Sequence, residues 1–154
     1  MKINMNELKK MQENNDKRFE CFEKHFESEE YSGCEYTFND YKCIQRTAKL
    51  TPKKTGLFVT FWKRSTTKTT TPFDIADQFQ YFIIICHEKL SSGVFVFPKL
   101  VLLEKRIISN SNKGIDGKRG FRVYPAWCTP TNKQATSTQK WQLQYFTETL
   151  KLPL

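Results

Sequence analysis

The sequence is poor in residues that hold metals. Its 154 residues include two histidines and five cysteines, and no two cysteines form a Cys-x-x-Cys pair. Structural zinc sites need closely spaced Cys and His ligands, so this class of site is excluded. The odd number and wide spacing of the cysteines also argue against a disulfide framework and favour reduced thiols, as in a cytoplasm.

Long hydrophobic runs and phosphate-binding glycine loops are also missing. The longest apolar run, Tyr81 to Cys86, is far shorter than the roughly 20 residues of a membrane-spanning helix. The first thirty residues are too polar for a signal peptide, and the chain shows no amphipathic or lipidated element to hold it on a membrane. Gly114, Gly117 and Gly120 follow no predicted strand and lack the Lys-Ser/Thr ending of a phosphate loop. We therefore expect a cytoplasmic protein without a membrane partner.

Acidic residues become scarce after residue 40. Residues 1 to 40 hold 6 Lys/Arg and 10 Asp/Glu, a net charge of −4. Residues 41 to 154 hold 19 Lys/Arg and 6 Asp/Glu, a net charge of +13, so the whole-chain value of +9 understates how basic this part is. Positive charge confined to one region is typical of a protein that binds a polyanion.

Length and composition predict one domain, residues 1–154. A hydrophobic content of 38% and an aromatic content of 14% suit a compact chain with its own core. Phe19, Phe22 and Phe26 recur at helical spacing, which predicts an N-terminal helix over residues 1–30 that packs on a core of residues 34–150.

The core sequence alternates predicted strands and helices. A hairpin over 34–48 turns at Asn39-Asp40, two residues that tolerate the left-handed conformation of a tight turn. The other predicted elements are a strand at Leu57–Lys63, a mobile loop at Ser65–Pro72, a central hairpin at 80–97 turning at 91–93, a helix at 98–108, a loop at 109–117, a strand at Phe121–Tyr124 and a helix at Thr131–Leu150. This order predicts an α/β (α+β) fold, with a mixed or antiparallel sheet of about five strands flanked by helices on both faces.

Residues 117–127 interleave three cations with three large aromatic residues. Guanidinium and ammonium groups pair with phosphates, and aromatic faces accept nucleotide bases. On an alternating strand, Arg122 and Tyr124 share one face while Phe121 and Val123 share the other, so we expect the Arg/Tyr face to meet a ligand. Trp62 and Trp127 are the expected stacking residues, whereas Trp141 is assigned to the core. The candidate nucleic-acid-binding residues are Lys53, Lys54, Trp62, Lys63, Arg64, Lys99, Lys118, Arg119, Arg122, Tyr124, Trp127, Lys133 and Lys140.

Several motifs resemble those of the MepB family of small bacterial proteins. They are Thr51-Pro52-Lys53-Lys54, Phe58 to Arg64, Pro72-Phe73-Asp74, Phe97-Pro98-Lys99, Gly117 to Pro125 with Trp127, and Gln139 to Gln142. The resemblance covers about residues 45 to 147. It implies a restriction-endonuclease-like core and nucleic-acid binding without an established catalytic role, and one family member is encoded beside a multidrug efflux pump.

A divergent nuclease is the main alternative to a non-catalytic binder. Such an enzyme holds Mg²⁺ with carboxylates and places a lysine near the attacking water. Asp74, Asp77, Lys99 and Glu104 are the candidates, although Asp74 after Pro72 is also typical of a turn cap. Phenylalanine occupies the expected acidic position before both Lys63 and Lys99, so we expect no catalysis and no cofactor, with Mg²⁺ needed only by the nuclease. A second alternative is a protein-interaction adaptor, linked to an efflux or regulatory system, whose basic face meets an acidic protein; the sequence does not identify that partner.

Overall fold

The computed structural model describes residues 23–24 and 33–149 of the chain. In chain order the strands of this part are β1 (Glu23–Lys24), β2 (Cys34–Phe38), β3 (Tyr41–Thr47), β4 (Lys49–Leu50), β5 (Leu57–Thr60), β6 (Trp62–Arg64), β7 (Thr70–Pro72), β8 (Tyr81–Glu88), β9 (Ser91–Pro98), β10 (Gly120–Val123) and β11 (Phe146–Thr149). Its helices are α1 (Lys99–Glu104) and α2 (Lys133–Gln142), with 3₁₀ turns at Ser111–Lys113 and Leu143–Tyr145. Within the same residues, no helix is long and apolar enough to cross a lipid bilayer.

Six strands form one mixed sheet in the order β1-β2-β3-β8-β9-β11. All neighbours are antiparallel except β3 and β8, which pair in parallel from Cys43–Tyr81 to Thr47–Ile85. Strands β8 and β9 lie inside the sheet because their side chains are apolar on both faces. The predicted mixed sheet of about five strands is confirmed, with the two-residue β1 added at one edge.

Both predicted hairpins form within this sheet. Asn39 and Asp40 have φ angles of 47° and 67°, the left-handed conformation that a two-residue turn requires. The central hairpin turns at Lys89 and Leu90, two residues earlier than predicted. Polar and small residues after the turn therefore belong to β9, where they pair with the end of β8.

The two faces of the large sheet carry two clusters of buried side chains. The first cluster includes Phe82, Ile84, Phe95 and Phe97, and both α1 and α2 pack against it. The second cluster consists of Cys34, Tyr36, Phe38, Cys43, Tyr81, Ile83, Val94 and Val96. Both described helices thus cover the first face, which corrects the expectation of helices on both faces for this part of the chain.

The predicted third strand is divided at Phe61, which is completely buried between β5 and β6. Its ring stacks on Phe73 and Phe82, with centroid distances of 4.4 Å and 3.8 Å. Its backbone N–H donates a hydrogen bond of 2.9 Å to the carbonyl of Arg119, beside the start of β10. Strand β5 then pairs with β4 and β10 in a three-stranded sheet, and β6 pairs with β7 in a two-stranded one.

The predicted loop 65–72 is also partly extended, because its last three residues form β7. The hairpin between β6 and β7 closes through a hydrogen bond of 2.8 Å from Ser65 N–H to the carbonyl of Thr69. Thr70 and Thr71 are β-branched and suit a strand, and pairing with β6 gives them one.

Both predicted core helices are shorter than expected. Helix α1 ends at Glu104, with Leu102 buried and Leu100 77% exposed. Helix α2 ends at Gln142, after which the chain forms a 3₁₀ turn and then β11 rather than continuing as helix. This segment is a strand because it pairs with the edge of β9. Phe146 packs directly over Gly93, so closely that a Cβ atom on residue 93 would lie 2.2 Å from the ring.

The predicted N-terminal helix lies outside the described residues except for Glu23 and Lys24. These two residues are extended and pair with Glu35 and Cys34 of β2. For them the helix prediction is wrong, because the open edge of β2 offers backbone hydrogen bonds that a strand can take.

Candidate nucleic-acid interface

A cleft of about 360 Å³ opens between the end of α1, strand β10 and helix α2. We call it the Trp141 cleft. Three cations line it, Lys105, Lys118 and Arg122, together with the indole of Trp141. The rest of the lining consists of Ile107, Gly120, Phe121, Tyr124, Asn132, Gln134, Ala135, Thr138 and Gln142. Every charged side chain in this lining is basic, so the cleft attracts anions.

The β10 wall follows from strand alternation. Phe121 and Val123 point into the first cluster, as predicted, and Arg122 points away from it. Lys118 precedes the strand, and its backbone N–H donates a hydrogen bond of 2.8 Å to the carbonyl of Ile107. This bond fixes the segment before β10 beside the end of α1, so that Lys118 and Lys105 line the same cleft.

Arg122 also has a structural role that the sequence did not indicate. Its Nη1 donates to the carbonyl of Thr55 at 3.2 Å, and its Nη2 donates to Oγ1 of Thr51. The guanidinium therefore holds the segment between β4 and β5, 67 and 71 residues away in the chain. Replacing Arg122 would disturb this segment as well as the charge of the cleft.

The α2 wall is a stripe of polar and aromatic side chains. The Asn132 carboxamide caps the helix by accepting a hydrogen bond of 2.8 Å from Ala135 N–H. Gln134, Thr138 and Trp141 then recur four and three residues apart, so they lie on one helix face and line the cleft together. This spacing was visible in the sequence and is the signal that identifies the wall.

Trp141 has one contact with the core and one with the cleft. Its ring centroid lies 5.5 Å from that of Phe97, as its assignment to the core predicted. On the cleft side, the ammonium nitrogen of Lys105 lies 5.3 Å from the indole centroid, a cation–π contact. Lys105 was not among the residues predicted to bind; it directly follows the end of α1, inside the segment 98–108 that the sequence predicts as helix.

Two aromatic side chains predicted to bind ligand are engaged in the fold. Tyr124 follows the end of β10 and is only 9% exposed. Its ring packs against Gly56 so closely that a Cβ atom on residue 56 would lie 2.7 Å from it. Trp127 donates from Nε1 to a carboxylate oxygen of Glu88 at 2.7 Å, and its ring packs edge-on against Phe146. Tyr124 thus does not share an exposed face with Arg122, which corrects that expectation.

Two other predicted lysines converge on Asp77 instead of on the cleft. Lys63 Nζ lies 2.6 Å from Oδ1 of Asp77, and Lys99 Nζ donates to the Asp77 carbonyl oxygen. The Lys99 ammonium also lies 5.0 Å from the ring centroid of Phe79. Burial lowers the pKa of Lys99, and the nearby carboxylates of Asp77 and Asp74 offset part of this effect. These contacts order both lysines in the absence of a ligand.

Asp74 has the geometry of a turn cap. Its carboxylate accepts hydrogen bonds from Ala76 N–H at 2.9 Å and from Ser111 N–H and Oγ, each at 3.0 Å. Burial would raise the pKa of this carboxyl group, but the hydrogen bonds from Ala76 and Ser111 outweigh it, and the pKa is lowered. Within the described ranges, no group of three His, Cys, Asp or Glu side chains is placed to hold a metal. Glu104 is exposed at the end of α1.

The remaining predicted cations lie at other places on the surface. Arg64 donates to the Lys68 carbonyl at 2.9 Å and lies 5.6 Å from the ring centroid of Trp62. Arg119 donates to the carbonyl oxygen and the hydroxyl of Thr70, at 3.1 Å each. Both arginines stabilise the hairpin of β6 and β7. Of the predicted lysines, Lys53, Lys54, Lys133 and Lys140 are exposed and lie outside the Trp141 cleft lining.

The cysteines of the described part are free thiols, as the sequence predicted. Burial raises the pKa of Cys43 to about 12 and also raises the pKa values of Cys86 and Cys128. Thiols with raised pKa values stay protonated near neutral pH and are poor nucleophiles. This fits structural roles for these three side chains.

Comparison with known proteins identifies the family. A family model described as MepB-like matches residues 25–148. The chain belongs to the MepB-like family. A solved structure, "Crystal Structure of MepB", is 31% identical to this chain with a TM-score of 0.82, covering 97% of this chain and 100% of that one. The comparison with curated proteins gives no match. The MepB-like match includes β10 and α2, and so contains the whole Trp141 cleft.

Proposed function

We propose that this MepB-like protein binds nucleic acid and that the Trp141 cleft is the centre of the contact surface. The observation that carries the proposal is the lining of the cleft, where Lys105 and Lys118 lie with an indole and polar side chains of α2, beside Arg122 of the β10 wall. Cations bind phosphates and an aromatic ring stacks on bases, which together hold a nucleic acid with little sequence preference. The +13 charge of residues 41 to 154 supports the same ligand class.

We also propose that the large sheet is a restriction-endonuclease-like core and that the protein works in the cytoplasm. The central parallel pair of β3 and β8 in an otherwise antiparallel sheet supports the first part. Superposition on solved restriction-endonuclease cores tests it, and a different strand order would contradict it. Four free thiols among the described residues support the second part, which cell fractionation tests.

Binding should weaken as the salt concentration rises, and the slope of this dependence reports the number of phosphate contacts. If about four to six phosphates are contacted, the logarithm of the binding constant should fall with the logarithm of salt concentration at a slope near −3 to −5. Lys118→Ala should weaken binding at all salt concentrations and make this slope shallower by about one. The measurement is fluorescence anisotropy with a labelled oligonucleotide over a range of NaCl concentrations.

Lys113→Ala is the matched control for this prediction. Lys113 is exposed in the same loop region but lies outside the cleft lining, so its slope should equal that of the parent. A flat salt response in the parent would contradict electrostatic binding. Failure to bind DNA or RNA at physiological salt would instead favour the adaptor, which meets an acidic protein.

We expect no metal-dependent cleavage of nucleic acid. The Asp74 carboxylate is engaged by Ala76 and Ser111, and the Asp77 carboxylate is engaged by Lys63 and by the backbone N–H of Asp74. Plasmid DNA and single strands should stay intact with Mg²⁺ or Mn²⁺ on an agarose gel. Cleavage that stops in EDTA and disappears in Asp77→Ala would establish the nuclease alternative.

A further inference from the structure

A second cavity of about 410 Å³ lies apart from the Trp141 cleft lining. It is formed by the segment 54–56, the turn between β8 and β9, and the segment 127–129 that follows β10. We call it the Glu88 pocket. Its charged lining residues are Lys54, Lys89 and Glu88, two cations and one anion. The pocket therefore differs from the cleft, in which every charged side chain of the lining is basic.

The carboxylate of Glu88 is held in place at the wall of this pocket. Trp127 Nε1 donates a hydrogen bond to Glu88 Oε2 at 2.7 Å, and Sγ of Cys128 donates to the same oxygen at 4.0 Å. Trp127 is itself half-buried and packs edge-on against Phe146. Among the described residues both donors use Oε2, which leaves Oε1 to accept a hydrogen bond from a ligand. A positioned, half-buried carboxylate of this kind suits an ammonium group.

The two lysines belong to different segments of the chain. Lys54 lies between β4 and β5, Lys89 lies in the turn between β8 and β9, and both are exposed. Ser91 and Thr129 add hydroxyl groups to the same lining. Ammonium and hydroxyl groups donate hydrogen bonds to carboxylates and phosphates, whereas the carboxylate of Glu88 repels them. A ligand that satisfies the whole lining therefore carries charges of both signs.

Hydrogen bonds from outside the pocket hold two of its walls. Arg122 Nη1 donates to the carbonyl of Thr55 at 3.2 Å, which fixes the wall between β4 and β5. Gln139 Nε2 donates to the carbonyl of Cys128 at 2.8 Å, which fixes the wall that follows β10. Walls that are already in place lower the cost of ordering on binding. The volume also falls within the range of small-ligand sites.

We infer that the Glu88 pocket binds a small molecule with two anionic groups and one ammonium group, the charge pattern of an acidic α-amino acid. The ammonium group donates to Glu88, and the two anionic groups accept from Lys54 and Lys89. Each charge of the ligand then meets one opposite charge of the lining. The inference concerns a small ligand and a cavity separate from the nucleic-acid surface, so it does not rest on the proposed function.

Three probes of similar size test the charge pattern. They are L-glutamate, glutarate, which lacks the ammonium group, and L-glutamine, which lacks the side-chain carboxylate. In isothermal titration calorimetry with the full chain, L-glutamate should bind about tenfold more tightly than either of the others, since each lacks one charge-assisted hydrogen bond. No saturable binding of L-glutamate, or equally tight binding of glutarate, overturns the inference. Nucleic-acid binding is measured separately, so each proposal can fail alone.

Substitutions in the pocket locate the ligand. Glu88→Gln keeps an oxygen that can accept from Trp127 but removes the charge, so it should lose the preference for L-glutamate over glutarate. A purely structural role of Glu88 would not change this preference. Lys54→Gln should weaken L-glutamate binding about tenfold, and Lys53→Gln, at an exposed neighbour outside the lining, should leave it unchanged. A Glu88→Gln variant that still prefers L-glutamate would overturn the inference.

Discussion

Phe61→Ala should lower the free energy of unfolding by about 4 kcal/mol, within the range measured for emptying a buried aromatic site. The ring is completely buried and stacks on two others, Phe73 and Phe82, while a third, Phe79, meets it edge-on at 5.9 Å. Removing it leaves a cavity at the point where β5 passes into β6. Chemical denaturation followed by tryptophan fluorescence measures the change.

Leu100→Ala is the control for Phe61→Ala. Leu100 is 77% exposed on α1, so its truncation should change the free energy of unfolding by no more than about 0.5 kcal/mol. Phe61 occupies the position where the nuclease alternative would need an acidic residue, so the large loss would also show that the position serves packing. A loss below about 1 kcal/mol in Phe61→Ala would mean that the site collapses around the smaller side chain, contrary to a tightly packed core.

Gln142→Leu should lower the free energy of unfolding by about 3 kcal/mol, because two buried or part-buried backbone groups would lose their partners. The Gln142 side chain is completely buried although it is polar. Its Oε1 accepts from Tyr124 N–H, and its Nε2 donates to the carbonyl of Arg122, each at 2.9 Å. These bonds join α2 to the end of β10 and so hold the two walls of the Trp141 cleft together.

Gln144→Leu makes the same change at an exposed position two residues further on and should leave stability nearly unchanged. For Gln142→Leu we also expect weaker binding to nucleic acid, since the walls of the cleft are no longer fixed. A variant as stable as the parent would contradict the role of Gln142 as the link between α2 and β10. The free energy of unfolding and the affinity should be measured on the same preparations.

Local sequence chemistry determined the hairpins and the faces of β10. Asn39 and Asp40 adopt left-handed φ angles at low cost, so the first hairpin was predictable from two residues. Alternation placed Phe121 and Val123 in the core and Arg122 outside it, as predicted. The uneven charge along the chain likewise needed no structure to recognise.

Helix lengths and strand partners were not predictable from local sequence. The segment after Gln142 has a helical pattern, yet it forms β11 because β9 offers an open edge and Gly93 leaves room for Phe146. Phe61 divides a continuous strand pattern because three rings distant in sequence surround it. Contacts between distant residues override local preference in each case.

The candidate site likewise combines features that local sequence predicts with features that only packing of distant segments creates. The sequence by itself determined that the chain is basic, that Lys118 and Arg122 lie beside a strand, and that the chain resembles the MepB family. Only the tertiary structure decided that these two residues line one cleft with Lys105 and Trp141, while Lys63 and Lys99 contact Asp77. The physical reason is that charge and strand alternation are properties of neighbouring residues, whereas a cleft is made by walls from segments that packing brings together.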